Sequence, residues 1–294
     1  MANKTNGIDI SRYQGKPDFG RLKSEVGFVI LQAGYGRYSS QVDAEFERSY
    51  NECKKYGIPV GVYWYSYAKS TADALAEANA CMEVIKGKQF EYPIYYDLEE
   101  NLGALGRSLV SSIATTFCNA LEKAGYFAGI YISRSPAQSY LTDEVCKKYA
   151  LWLAEYGSQL NWNGAKVGMW QNSSTGRFSG INGDVDTDIC YEDYPKLIKN
   201  AGKNGYPKPE AAKELDKPEA AWHKYGDKMY DQDGKINSGL YEVKRRMKEI
   251  GYNYLDLDGG FGGGTEKAVN DLLRLWGYKQ NGVIGKKFVD IVMK

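Results

Sequence analysis

From about residue 5 to residue 190, short β-rich runs alternate with longer stretches whose apolar residues recur at helical spacing. The runs at 7–10, 27–33, 59–65, 92–98, 128–132, 151–154, 167–171 and 183–189 read as strands. Between several of them, 44–56, 71–86 and 108–124 read as helices. Gly57 and Gly125 stand where a helix C-cap is expected, with Pro59 just beyond the first. Repeated strand–helix units predict a parallel sheet with right-handed crossovers, and eight strands favour closure into a barrel. Short connections among the last three strands leave the second half without full helices. The expected fold class is α/β: an irregular TIM-like β/α barrel with eight strands and fewer helices.

The pattern changes near Asn200. Residues 200–218 hold three prolines, many lysines and little apolar material, as a linker does. Residues 220–237 are ambiguous, since Trp222, Tyr225, Met229 and Tyr230 could anchor them. From Ser238, apolar residues recur at helical spacing in three sets: Leu240, Val243, Met247 and Ile250; Val269, Leu272, Leu273 and Trp276; Phe288, Ile291 and Val292. The expected organisation is a barrel over 1–199, a linker over 200–237 and a small all-α three-helix domain over 238–294, near the lower size limit for independent folding.

Composition narrows the chemistry by exclusion. The net charge of +1 gives no electrostatic reason to expect nucleic acid or an anionic membrane as partner. No run approaches the ~20 apolar residues that span a bilayer. The first residues lack an apolar stretch of signal-peptide length, so export by a visible signal peptide is not expected. Five cysteines without a CxxC pair read as buried free thiols. The single histidine, His223, lies outside the segments that look catalytic. Ser–His–Asp, Cys–His and most zinc hydrolases need placed imidazoles, so a hydrolase built from this chain works with carboxylates, and no cofactor or metal is expected. The 25 Tyr and 6 Trp, against 9 Phe, suit a hydrated ligand such as a sugar ring, although ordinary core and surface packing accounts for many of them.

The sharpest chemical signal is Tyr92-Pro-Ile-Tyr-Tyr-Asp-Leu-Glu99. Strand alternation puts Tyr95, Asp97 and Glu99 on one side and Ile94, Tyr96 and Leu98 on the other. The acids would face inward at the C-terminal strand end, where β/α barrels keep their active sites. Two close carboxylates raise the pKa of at least one of them, as a general acid requires. The alternative is a solvated acidic strand end. Asp9 lies near the end of the first strand, and Asp184, Asp186 and Asp188 alternate in the last, its neighbour in a closed barrel. The three alternating aspartates could instead hold a hard cation such as calcium.

The motifs Gly7-Ile-Asp-Ile-Ser11 with Gln14-Gly15, Gln32-Ala-Gly34, Val62-Tyr-Trp-Tyr65, Tyr96-Asp-Leu-Glu99, Leu151-Trp-Leu-Ala154, Met169-Trp-Gln171 and Gly183-Asp-Val-Asp186 occur in the order seen in family 25 glycoside hydrolases, the Chalaropsis-type lysozymes common as phage endolysins and bacterial autolysins. The resemblance covers residues 6 to about 195. It implies cleavage of the β-1,4 bond between N-acetylmuramic acid and N-acetylglucosamine, with bacterial peptidoglycan as the partner. It further implies Glu99 as proton donor, Asp97 as the carboxylate assisting the reacting sugar, and Asp9 and Asp186 as further acids of the cleft. Tyr35, Tyr63, Tyr65, Tyr131, Trp152 and Trp170 match positions where the family places aromatics near the groove. Asp188 departs from the family, which often has Asn there.

The segment from Val243 to Tyr252, then Asp258-Gly-Gly-Phe-Gly262, Thr265, Ala268-Val269 and Asn281-Gly-Val-Ile-Gly285 resemble the three-helix peptidoglycan-binding domain of many wall hydrolases, with Lys244 and Leu273 where that family usually has Gln. The glycine run at 259–264 does not follow an expected strand, so a phosphate loop is not indicated. Asp231-Gln-Asp-Gly-Lys-Ile236 reads as a polar turn, because an EF-hand register would need Met229 and Leu240 as ligands. The expected function is an endolysin-like N-acetylmuramidase held in the host cytoplasm until released to the wall. The rivals are a non-catalytic wall-binding protein and a glycosidase of another N-acetylated glycan such as chitin.

Overall fold

The computed structural model describes residues 4–208, 214–230, 235–257 and 259–294. The chain divides into two units, Met1–Lys208 and Pro209–Lys294. In the first, β1 (Thr5–Ile10), β2 (Val29–Tyr35), β3 (Val60–Tyr65), β4 (Ile94–Asp97), β5 (Ala128–Ser133), β6 (Ala150–Ala154), β7 (Met169–Gly176) and β8 (Val185–Cys190) close into a barrel in chain order. The strands from β1 to β7 run parallel, but β8 is antiparallel to both β7 and β1. This corrects the expectation of a parallel sheet. A parallel return needs a crossover of a dozen or more residues, and the short 177–184 connection makes a hairpin instead.

Helices α1 (Phe19–Leu22), α2 (Phe46–Tyr56), α3 (Thr71–Ile85), α4 (Leu102–Lys123), α5 (Arg134–Tyr140), α6 (Asp143–Lys148) and α7 (Tyr194–Ala201) complete this unit. Ser70 caps α3 by accepting from the Asp73 amide at 3.1 Å. Gly57 closes α2 in the left-handed region at φ 69°. Helix α4 begins six residues before its expected start at Ser108, because its first turn is joined across Gly106, whose φ of 77° breaks the periodicity that marked the helix in the sequence.

Strand alternation creates two apolar layers. Ile8, Val62, Ile94, Tyr96, Ile130 and Leu151 face outward into the helix layer, where Tyr96 stacks on Phe117 at 3.8 Å between ring centroids. Phe28, Ile30, Tyr95, Trp152, Met169 and Cys190 fill the inside. The aromatic interior is a packed plug, so polar groups gather only where the parallel strands end. All five cysteines are buried and unpaired.

The expected linker of 200–237 is largely absorbed into the two units. Asn204 is fully buried: its side chain accepts from the Phe127 amide at 2.7 Å and donates to the Tyr92 carbonyl at 2.9 Å, tying the end of the first unit to the barrel. In the second unit, α8 (Ser238–Glu249), α9 (Gly263–Leu275) and α10 (Lys286–Val292) share a core with Leu215 and Met229. Asp216 accepts from the Phe288 amide at 2.8 Å at the start of α10, and Trp222 and His223 both donate backbone hydrogen bonds to Ile284. Three short helices enclose too little apolar surface, and the preceding segment adds to it. Residues 209–213 of the expected linker, 231–234 of the polar turn and Asp258 of the resemblance motif lie outside the described residues. Among the described residues no helix is long and apolar enough to cross a membrane.

Candidate active site

A cleft of about 470 Å³ opens at the C-terminal ends of the parallel strands. It gathers Asp9 from β1, Asp97 from the last position of β4, Glu99 just beyond it, and Asp186 from β8. Asp9 pairs in register with Asp186 across the antiparallel β1–β8 seam, so both point into the same mouth. Tyr35, Tyr63, Tyr65, Tyr131 and Trp152 also line it.

Trp170 does not line it. It is 5% exposed in the outer apolar layer, with Nε1 donating to the Glu155 carbonyl at 2.7 Å. Period two explains the correction: Met169 and Gln171 point inward, so Trp170 between them points out. Trp170→Ala is therefore expected to lower stability by about 3–5 kcal/mol while leaving KM for soluble substrate unchanged. Denaturant melts and steady-state kinetics check this, and a large rise in KM with full stability would return Trp170 to the groove.

Arg12, Tyr13 and Tyr67 line the cleft without having been singled out in the sequence, and Gln32 and Gln171, quoted there only within motifs, line it too. Gln171 alone carried a usable signal, since it alternates with Trp170 on a strand. Its side chain donates to Asp9 Oδ2 at 2.8 Å and accepts from the Tyr131 hydroxyl at 2.8 Å. Arg12 is held by its backbone, whose N–H donates to Asp43 at 3.0 Å. Asp184 sits apart from Asp186 and Asp188, paired with Arg177 on the exposed rim. Among the described residues no group of three or more His, Cys, Asp or Glu is arranged to hold a metal ion.

The carboxyls differ in surroundings. Asp97 is 5% exposed, and its Oδ1 is buried without a hydrogen-bond partner. Burial, then the neighbouring Glu99, pushes its pKa well above the usual carboxylate range. Glu99 stands at the open end of the cleft, accessible yet flanked by protein. Burial raises its pKa, the nearby Tyr131 hydroxyl opposes this, and Asp186 and Glu100 raise it further. Burial also raises Asp186. Tyr65 donates to Glu100 at 3.0 Å, which draws Glu100 to the wall of the cleft. The arrangement offers one reachable acid primed to carry a proton, one buried acid with an unsatisfied oxygen, and aromatic walls.

Residues 8–181 match the profile of the family described as Glycosyl hydrolases family 25. An autolytic lysozyme of Clostridium acetobutylicum is 32% identical over 184 residues, covering 62% of this chain and 54% of that protein. The modular autolysin LytC of Streptococcus pneumoniae, solved in complex with a synthetic peptidoglycan ligand, matches with a TM-score of 0.58 at 30% identity, over 64% of this chain and 47% of that one. The CTP1L endolysin gives a TM-score of 0.58 at 26% identity, over 67% of this chain and 70% of its own. The chain thus spans about half the length of the first two relatives.

Proposed function

Because this chain belongs to the glycosyl hydrolases of family 25, we propose that its barrel is an N-acetylmuramidase, hydrolysing the β-1,4 bond between N-acetylmuramic acid and N-acetylglucosamine in bacterial peptidoglycan. The observation that carries the reading is the pairing of Glu99, accessible with a raised pKa, with the buried Asp97 two residues away, whose Oδ1 has no partner. The raised pKa of Glu99 favours its protonated form, which delivers the proton to the glycosidic oxygen as the bond breaks. The protein gives Asp97 Oδ1 no donor, so the N–H of the sugar's 2-acetamido group supplies one. That bond favours the ionised carboxylate, and the charge beside Glu99 helps the acid stay protonated until it acts. The tyrosines of the wall offer flat faces to the sugar rings.

Mass spectrometry of fragments released from purified peptidoglycan tests this. Fragments with muramic acid at the new reducing end are expected. Glucosamine at that end, or no fragments at all, overturns the reading, and cleavage of chitin in preference to wall would move the substrate class.

For the second unit we infer attachment to the wall, on its separate core and on the domain-like motifs from Val243 to Gly285. Removing residues 209–294 is expected to slow lysis of intact cells far more than hydrolysis of soluble muropeptides. The barrel keeps its acids and loses only the local concentration that a second attachment provides, a gain of about 10²–10⁴ in avidity where two sites are engaged together. Equal loss on both substrates would make the unit a support for the barrel.

A further inference from the structure

Asp188 is an inward-facing acid that the proposed chemistry does not use. It lies on the same face of β8 as Asp186, one step deeper, opposite Gly7 in register, and it is 1% exposed. Trp152 Nε1 donates to its Oδ1 at 2.8 Å. Its Oδ2 is buried without a donor, and the side chain is within hydrogen-bonding reach of Asp9. On the other side of the pair, Gln171 Nε2 donates to Asp9 Oδ2, and the Tyr131 hydroxyl, donating to Gln171 Oε1, fixes the amide so that its N–H must face Asp9. Each carboxyl therefore has one oxygen held by a donor, and the two lie diagonally across the β1–β8 seam on the inward face, with Asp188 Oδ2 left without a partner.

The titratable groups around the pair are acids. Asp186 and Cys190 come from β8, Tyr63 from β3, Tyr95 from β4 and Tyr131 from β5, and none of the groups acting most strongly on either carboxyl is a cation. Arg12 lines the same cleft, but it is exposed and lies over the rings of Tyr13 and Tyr35 at 5.1 and 5.9 Å. Two buried carboxylates in contact without a counter-charge cannot both be ionised.

We propose that Asp188 is a positioning residue that shares one proton with Asp9, holding Asp9 in the cleft by a bond that lasts only while the proton stays. An amide at this place would make the same bond with a permanent N–H. The functional consequence rests on the reading of the cleft as the active site; the shared proton does not. Burial pushes Asp188 up to about 8, and burial followed by repulsion from Asp188 and Asp186 raises Asp9 still more strongly, so the titration belongs to the pair. While one proton is shared, the pair carries one negative charge. When that proton is lost at higher pH the second charge appears, the carboxylates repel, and Asp9 loses its hold. Because the folded-state value lies above the unfolded one, the stabilising contribution is complete below about pH 4 and is lost as pH rises through about 8.

The test uses the full-length protein. Infrared titration of the wild type is expected to show carboxylic-acid carbonyl absorption that survives to alkaline pH, and the difference between wild type and Asp188→Asn is expected to isolate the part that belongs to the pair, leaving that of Asp97 in both. On peptidoglycan both proteins lose rate as Glu99 deprotonates, but the ratio of the wild-type rate to that of Asp188→Asn should fall by more than about twofold between pH 6 and pH 9, because only the wild type also loses the shared proton. Asp188→Leu, which cannot donate, should be at least about tenfold weaker than Asp188→Asn at pH 6. A band or alkaline limb unchanged by Asp188→Asn overturns the proposal, as does a leucine variant equal to the asparagine one. Should no form of the protein cleave wall, the active-site reading fails, and the infrared titration still decides whether the proton is shared.

Discussion

Glu99→Gln is expected to lower kcat on purified peptidoglycan by about 10²–10⁴-fold while the protein stays folded. The amide is nearly isosteric and cannot protonate a leaving oxygen. Glu99 is well placed for a clean test, because it lies beyond the end of β4 and is accessible from the cleft, so little packing depends on it. Its neighbours sharpen the expectation. Burial together with Asp186 and Glu100 outweighs the opposing effect of the Tyr131 hydroxyl, so the acid holds its proton to higher pH than a solvated glutamate. The loss should therefore appear in kcat with KM little changed, since the proton is needed only as the bond breaks. A folded variant that keeps more than about a tenth of the wild-type rate would remove Glu99 from the role of acid.

How far the sequence could be read depended on whether a feature was periodic. The eight strands were legible because each combines β-branched or aromatic residues with alternation, and Asp97 and Glu99 were legible because alternation puts them on the face opposite Ile94, Tyr96 and Leu98. The direction of β8 was not, since alternation is the same in a parallel and an antiparallel strand; only the length of the 177–184 connection distinguishes them. Trp170 was placed near the groove on the family resemblance, when its own strand period assigns the inward position to Gln171. The kink at Gly106 and the buried turn at Asn204 break local pattern and are held by tertiary contacts, Asn204 through its bonds to the chain at Phe127 and Tyr92.

The contact between Asp188 and Asp9 lies beyond any local pattern. The two residues are far apart in sequence and meet because the barrel closes on itself between its first and last strands. Three aspartates at alternate positions suggested a cation site, whereas the fold separates Asp184 toward Arg177 and turns Asp188 toward Trp152. Donor identity, not spacing, decides what such a run of acids does.

Asp97→Asn should make the enzyme both slower and more stable near neutral pH. Folding raises the pKa of Asp97 well above its unfolded value, through burial and then Glu99. Its contribution is thus fully present below the unfolded pKa and lost as pH rises through the folded one, so at neutral pH the wild type carries the cost of a buried carboxyl that asparagine avoids. Thermal melts across pH 4–8 should show the variant's advantage growing as pH rises. Activity moves the other way. The ionised carboxylate that grips the acetamido N–H is gone, and losing one such preorganised contact costs about 10²–10³ in kcat. In the substrate complex, where the acetamido N–H favours the ionised form of Asp97, that charge raises Glu99, so removing it should shift the alkaline limb of kcat to lower pH. A mild kinetic effect with no shift of that limb would leave Asp97 as a packed, protonated strand end, and the assignment of the sugar-assisting role would have to pass to Asp9 or Asp186, the other acids whose side chains reach the cleft.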